Sequence, residues 1–106
     1  MRKNRRCREK FHVALHLLAV SEGDVRSRLT EAYRHLRSLR DEDVPEELRA
    51  EWTSILRSLT RYGPEVGSDG TLFQSAIKHT MARIRNRTGK RIAERIYTLA
   101  RELGTK

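Results

Sequence analysis

The sequence predicts an all-α fold, a compact bundle of four to five helices. Three observations carry this. Apolar residues recur at helical spacing along most of the chain. No stretch shows the apolar–polar alternation of a strand. The turn-forming clusters "SEGD" (21–24) and "GPEVGSDGT" (63–71) cut the chain into helix-sized pieces. With 106 residues, 37% of them hydrophobic, the chain has room for one domain around a small core. It divides into a basic arm, residues 1–10, that leads into the first helix, and a helical domain over 11–106. No internal repeat stands out.

The first helix is expected over about residues 4–21. Phe11, Leu15 and Leu18 form one apolar stripe and Val13, Leu17 and Val20 a second, which predicts the most buried element of the fold. Gly23 supplies a positive φ, and Asp24 caps the second helix. That helix carries Val25, Leu29, Ala32, Leu36 and Leu39 on one face. In "DVPEELRAEW", Pro45 suits the first position of the third helix, and Glu46 and Glu47 suit the positive end of its dipole. Leu48, Trp52, Ile55, Leu56 and Leu59 are its buried stripe, and Gly63-Pro64 ends it. Residues 63–71 read as the one real loop, after which Thr71 and Gln74 make a capping box for the fourth helix. That helix carries Phe73, Ile77, Met81 and Ile84, and the last carries Ile92, Ile96, Leu99 and Leu103.

The join between these last two is open to two readings. Asn86, Thr88 and Gly89 read as a stop and restart, yet the apolar series from Ile77 to Leu103 stays in helical register across them. A single helix kinked near Gly89 fits equally well. Arg85 and Arg95 fall inside the apolar arc of such a helix. Either the helix breaks before Arg85, or these side chains snorkel or meet acidic partners from residues 41–51.

The formal net charge of +9 and pI near 10.6 favour an acidic partner: nucleic acid, anionic membrane or an acidic protein. Arginine outnumbers lysine 18 to 5. Its planar fork suits phosphate, although a GC-rich genome produces the same bias. The charge is uneven: residues 1–40 carry +7, residues 41–70 carry −5 and residues 71–106 carry +7. An acidic middle between basic ends allows pairing within the fold or between copies.

Cys7 is the only cysteine, so no internal disulfide forms, which fits a reducing compartment. "MRKNRRCREK" followed by "FHVALHLLAV" mimics a secretion signal, with Ala19 and Ser21 small enough for cleavage. Glu9 before the apolar run and His12 and His16 inside it favour a retained helix, and the cytoplasm is the expected location. No apolar stretch approaches the ~18 residues of a membrane span.

The stretch "RIRNRTGKR", residues 83–91, holds five positive side chains and one glycine. On a continuous helix Arg83, Arg87, Lys90 and Arg91 share the arc opposite the apolar residues, an ordinary solvated face. If instead a new helix opens at Thr88, Gly89 allows close approach, and a bound phosphate relieves the conflict of Lys90 and Arg91 with the dipole. As a helix-turn-helix the segment offers charge but few groups that distinguish bases.

Enzymatic constellations are thin. His12 and His16 have the i, i+4 spacing of metal ligands, but Val13 stands where a zinc protease has its glutamate, and no third ligand is evident. Arg6 to His12 and Arg28 to His35 resemble the arginine–histidine motif of HEPN-type RNases, although Cys7 and Leu29 follow the arginines where those enzymes have a polar residue. Arg6 and Arg8 beside Cys7 favour a thiolate, but with no base in sight Cys7 reads as an exposed bystander. "GSDGT" is too short for a Walker loop.

Residues from about 11 to 104, through "EGDVRSRLTEAY", "VPEELRAEW", "SLTRYGP" and "ARIRNRTGKRIAERIY", resemble small single-domain bacterial proteins of uncharacterised function. The resemblance implies a bacterial origin and transfers no activity, cofactor or site.

The expectation is therefore a non-enzymatic accessory or regulatory module without cofactor. It would contact DNA or RNA phosphates through Arg83, Arg87, Lys90 and Arg91, with Arg2, Lys3, Arg5, Arg6 and Arg8 of the arm adding affinity. The competing expectation is a protein-interaction or homodimerisation module in which acidic and basic patches meet. Neither has a membrane or a small-molecule substrate as partner.

Overall fold

Helices form where the 3.6-residue apolar spacing runs. The computed structural model describes residues 4–104, the side chain of Phe73 excepted. In chain order α1 is Arg5–Val20, α2 Val25–Leu36, α3 Arg49–Leu59, α4 Ala76–Arg83 and α5 Asn86–Gly104. Each helix contributes to one core, in which Phe11, Leu29, Trp52, Ile77 and Ile96 meet. Trp52 lies at its centre with Phe11 edge-on, ring centroids 5.4 Å apart at 69°. The expected class, an all-α bundle, is the one observed.

Local chemistry sets the α1–α2 corner. Gly23 has φ 91°, and the Asp24 carboxylate accepts from the backbone N–H groups of Arg26 and Ser27. Arg28 Nη1 donates to the Leu18 carbonyl 3.1 Å away, satisfying an acceptor that the end of α1 leaves open.

Several boundaries differ from expectation, each for a local reason. α1 is not the most buried element. It packs on α2 and α5 through Cys7, Phe11 and Ala14, and its second stripe turns outward, exposing Val13 and Val20. α2 stops at Leu36, and Leu39 enters the core from the following loop. Pro45 opens only a 3-10 turn over Glu46–Leu48, and α3 starts at Arg49. The loop over 63–71 closes a short antiparallel hairpin, β1 (Glu65–Val66) with β2 (Leu72–Gln74). Thr71 and Gln74 therefore form no capping box. Ser75 caps α4 instead, its hydroxyl accepting from Lys78 N–H.

The α4–α5 join breaks at Ile84–Arg85, ahead of the Asn86–Gly89 stop and in line with the alternative in which the helix breaks before Arg85. Ile84 has an extended backbone (φ −83°, ψ 159°), and the first α5 bond runs from Gly89 N–H to the Arg85 carbonyl. Asn86, Thr88 and Gly89 thus lie within the first turn of α5, not in a gap between helices. Beyond the turn α4 packs on α2 and α3, and α5 packs on α1, α2 and α3.

Candidate nucleic-acid interface

The basic stretch is divided by the break. Arg83 lies in the last turn of α4, Arg85 in the turn, and Arg87, Lys90 and Arg91 on α5, all of them exposed. Among the described residues no carboxylate pairs with any of the five. α5 opens with no acidic side chain in its first turn, so its dipole adds to this positive field.

Two contacts from α2 fix the junction. Arg26, ion-paired to Asp24 at 2.9 Å, donates from Nη1 to the Ile84 carbonyl at 3.2 Å. The Asp24 carboxyl is held below its ordinary range by the Arg26 guanidinium and the Ser27 N–H. Gly89 is buried, and a Cβ on it would stand 3.0 Å from Val25 Cγ1. The close approach at Gly89 is made by α2, which corrects the expectation of a Gly89 open to phosphate at a helix start.

The arm lies elsewhere. Arg8 lines a small cavity with Leu103 and Gly104 at the far end of α5, about 27 Å from its start by helical rise. Arg5 pairs with Glu9 at 3.0 Å, and Arg6 pairs with Asp43 at 3.5 Å. Arg2 and Lys3 fall outside the described residues. The structure does not bring the described arm residues Arg5, Arg6 and Arg8 together with the basic stretch.

The acidic middle is partly neutralised within the chain. Besides Arg6–Asp43, Arg40 pairs with Glu42 at 3.3 Å and Arg95 with Glu51 at 2.9 Å. Arg95 also donates to Ser54 Oγ at 2.7 Å and Ser58 Oγ at 3.3 Å. The Arg95 guanidinium draws the Glu51 carboxyl below its ordinary range, and Glu51 in turn raises Arg95.

A group that sequence reading missed adjoins the stretch through Arg83. Tyr62, just past α3, is 40% exposed, with Arg83 Cζ 5.0 Å and Arg61 Cζ 5.4 Å from its ring centroid. Its backbone is fixed to α4. Tyr62 N–H donates to Oγ1 of the buried Thr80 at 3.1 Å. His79 Nδ1 lies 3.0 Å from the Gly63 carbonyl, which only accepts, so that nitrogen carries the proton. The partners are 16 to 18 residues apart in sequence, and helical periodicity gives no sign of such a pairing.

Other sequence candidates separate. His12, His16 and His35 are exposed, and no hydrogen bond among the described residues joins Arg6 to His12 or Arg28 to His35. No three His, Cys, Asp or Glu side chains among the described residues converge on a possible metal position. Cys7 is a buried thiol and not an exposed bystander. Burial, helped by the Asp43 charge, pushes its pKa up from 9.0 to about 11, the opposite of an activated thiolate. "GSDGT" is the hairpin turn, with Asp69 Oδ1 accepting from Thr71 N–H at 2.9 Å. No described helix is long and apolar enough to cross a membrane.

Compared with known protein families, characterised proteins and solved structures, the chain matches none.

Proposed function

We propose that the protein is a non-enzymatic accessory module that contacts nucleic-acid phosphates at the α4–α5 junction. One observation carries this reading: Arg83, Arg85, Arg87, Lys90 and Arg91 are exposed from the last turn of α4, across the break, into the first turns of α5, with no carboxylate partner among the described residues and next to a helix start that lacks acidic residues. Exposed cations close together in the chain raise the local potential that draws a polyanion, and arginine forks match phosphate oxygens. The junction is tied to α2 by Arg26 and Gly89, so the cations are presented without an ordering cost for the backbone. The arm residues Arg5 and Arg6, engaged with Glu9 and Asp43, are secondary contacts in this reading. Phosphate contacts of this kind position the module and carry no sequence information.

The test is fluorescence anisotropy with labelled duplex DNA and single-stranded RNA over a salt series. Wild type is compared with a folded Arg83→Ala/Arg87→Ala/Lys90→Ala/Arg91→Ala variant. The expected result is weaker binding by the variant and a loss of about 2 to 4 units from the log–log salt slope. Absence of binding by wild type, or equal binding by both proteins, overturns the reading and turns the search to protein partners.

A further inference from the structure

The Arg61–Tyr62–Arg83 group adds a second kind of contact to the phosphate surface. Tyr62 presents a half-exposed ring; its N–H donates to Thr80 Oγ1 and the carbonyl of the next residue, Gly63, accepts from His79 Nδ1, so its position does not depend on a ligand. Two guanidiniums lie over that ring at 5.0 and 5.4 Å. The His79 ring lies beside the same tyrosine, centroids 6.2 Å apart and tilted by 54°. A cluster of aromatic and guanidinium planes offers a nucleobase a face to stack on, and guanidinium forks also suit phosphate. Arg83 belongs both to this stack and to the basic stretch, so one backbone path reaches both.

Resting on the phosphate reading above, we infer that the bound nucleic acid is single-stranded and that one of its unpaired bases joins the Arg61–Tyr62–Arg83 stack. A duplex keeps its base faces inside the helix and offers this group only backbone. A single strand offers a base face for the tyrosine together with phosphates for Arg83, Arg85 and Arg87.

The probes are labelled oligothymidylate, oligouridylate, an oligothymidylate of the same length carrying abasic positions, and a duplex, each titrated by anisotropy at one salt concentration. Wild type is expected to favour either intact single strand over the abasic one by roughly ten- to a hundredfold. Tyr62→Ala is expected to lose that preference and keep the salt slope, whereas Tyr62→Phe keeps both. Because the ring is half-exposed, the alanine variant is expected to fold, which circular dichroism verifies, and the phenylalanine variant controls for packing. Equal binding of intact and abasic strands, a duplex bound as tightly as the single strand, or a preference unchanged by Tyr62→Ala overturns the inference and leaves the phosphate reading standing. Binding to none of the four probes overturns both.

Discussion

Arg26 Nη1 and the carbonyl oxygen of Ile84, 58 residues apart and 3.2 Å from each other, join the start of α2 to the point where α4 stops. The same guanidinium is held by Asp24, which also caps α2. One side chain thus couples a helix cap to the turn that carries the basic stretch. Lysine, with a single ammonium, cannot span both partners in the way a fork does.

Arg26→Ala is expected to cost about 1 kcal/mol, since it leaves the part-buried Ile84 carbonyl without its charged donor. Arg26→Lys should recover less than half of this. Urea denaturation reads the stability change. Amide exchange at Ile84 and Gly89, whose N–H groups donate to the Thr80 and Arg85 carbonyls, reads the junction itself and should quicken in Arg26→Ala more than exchange in α3. Uniform quickening across the fold would show that Arg26 supports only global stability.

At Gly89 two effects oppose each other. Alanine in place of a helical glycine gains about 1 kcal/mol of helix propensity. Its Cβ would stand 3.0 Å from Val25 Cγ1, so Val25 must move by a few tenths of an ångström. Val25 is the half-buried first residue of α2, where a shift of that size is least constrained by helix neighbours. Gly89→Ala is therefore expected to change stability by less than about 1 kcal/mol, and Gly89→Leu to lose about 2 kcal/mol or more by overpacking. Thermal melts of the two variants decide it. Equal tolerance of both side chains would mean that α2 and α5 are not in close contact here.

The parts of the fold written in local chemistry were legible in the sequence. Gly23 and Asp24 form the corner they suggest, because a positive φ and a carboxylate cap need only neighbouring residues. Arg85 and Arg95, which do not fit one continuous helix, marked two real features: the helix breaks ahead of Arg85, and Arg95 reaches Glu51 in α3. What periodicity cannot convey is which apolar stripe finds a partner. Val13 and Val20 repeat as regularly as Phe11 and Leu15, and only the placement of α2 and α5 leaves them outside. The capping box at Thr71 failed for a related reason. Pairing of β2 with β1 extends the backbone through Gln74 and passes the cap to Ser75. At the candidate interface the basic residues were legible as a run, but Tyr62 was not, since Thr80 and His79, which hold its N–H and the adjoining Gly63 carbonyl, come from a different helix.

Arg95 and Glu51 form the contact that ties α5 to α3 at the surface. Both side chains are partly exposed, at 33% and 46%, so solvent screening limits the pair. A double-mutant cycle of Arg95→Leu and Glu51→Gln is expected to give a coupling of about 0.5–1 kcal/mol at moderate salt, shrinking as salt rises. The sign of the pH effect follows from Glu51, whose pKa is lowered on folding. Its contribution is present above the ordinary glutamate value of 4.5 and is lost as the pH falls through the folded value. Glu51→Gln should therefore narrow the gap to wild type as the solution is acidified. A gap that does not vary with pH would show that the carboxylate's charge has no part in the contact.

Cys7 gives the opposite slope. Its thiol is buried and its pKa stands at about 11 in the folded chain against 9.0 ordinarily, so the neutral form is favoured on folding. The contribution is complete below pH 9.0. Between that value and about 11 the unfolded chain loses a proton that the folded chain keeps, and stability falls as the pH rises. Lysines and tyrosines titrate in the same range, so the informative quantity is the difference between wild type and Cys7→Ala. Their stability gap should close on raising the pH through this window and stay constant below it. Alkylation supplies an independent reading: the native thiol should react with iodoacetamide far more slowly than a free cysteine, at a rate that rises with denaturant, because only the opened chain exposes a thiolate. Rapid alkylation of the native protein, with no dependence on denaturant, would show that Cys7 is reached from solvent and that α1 does not seal the core at its first turn.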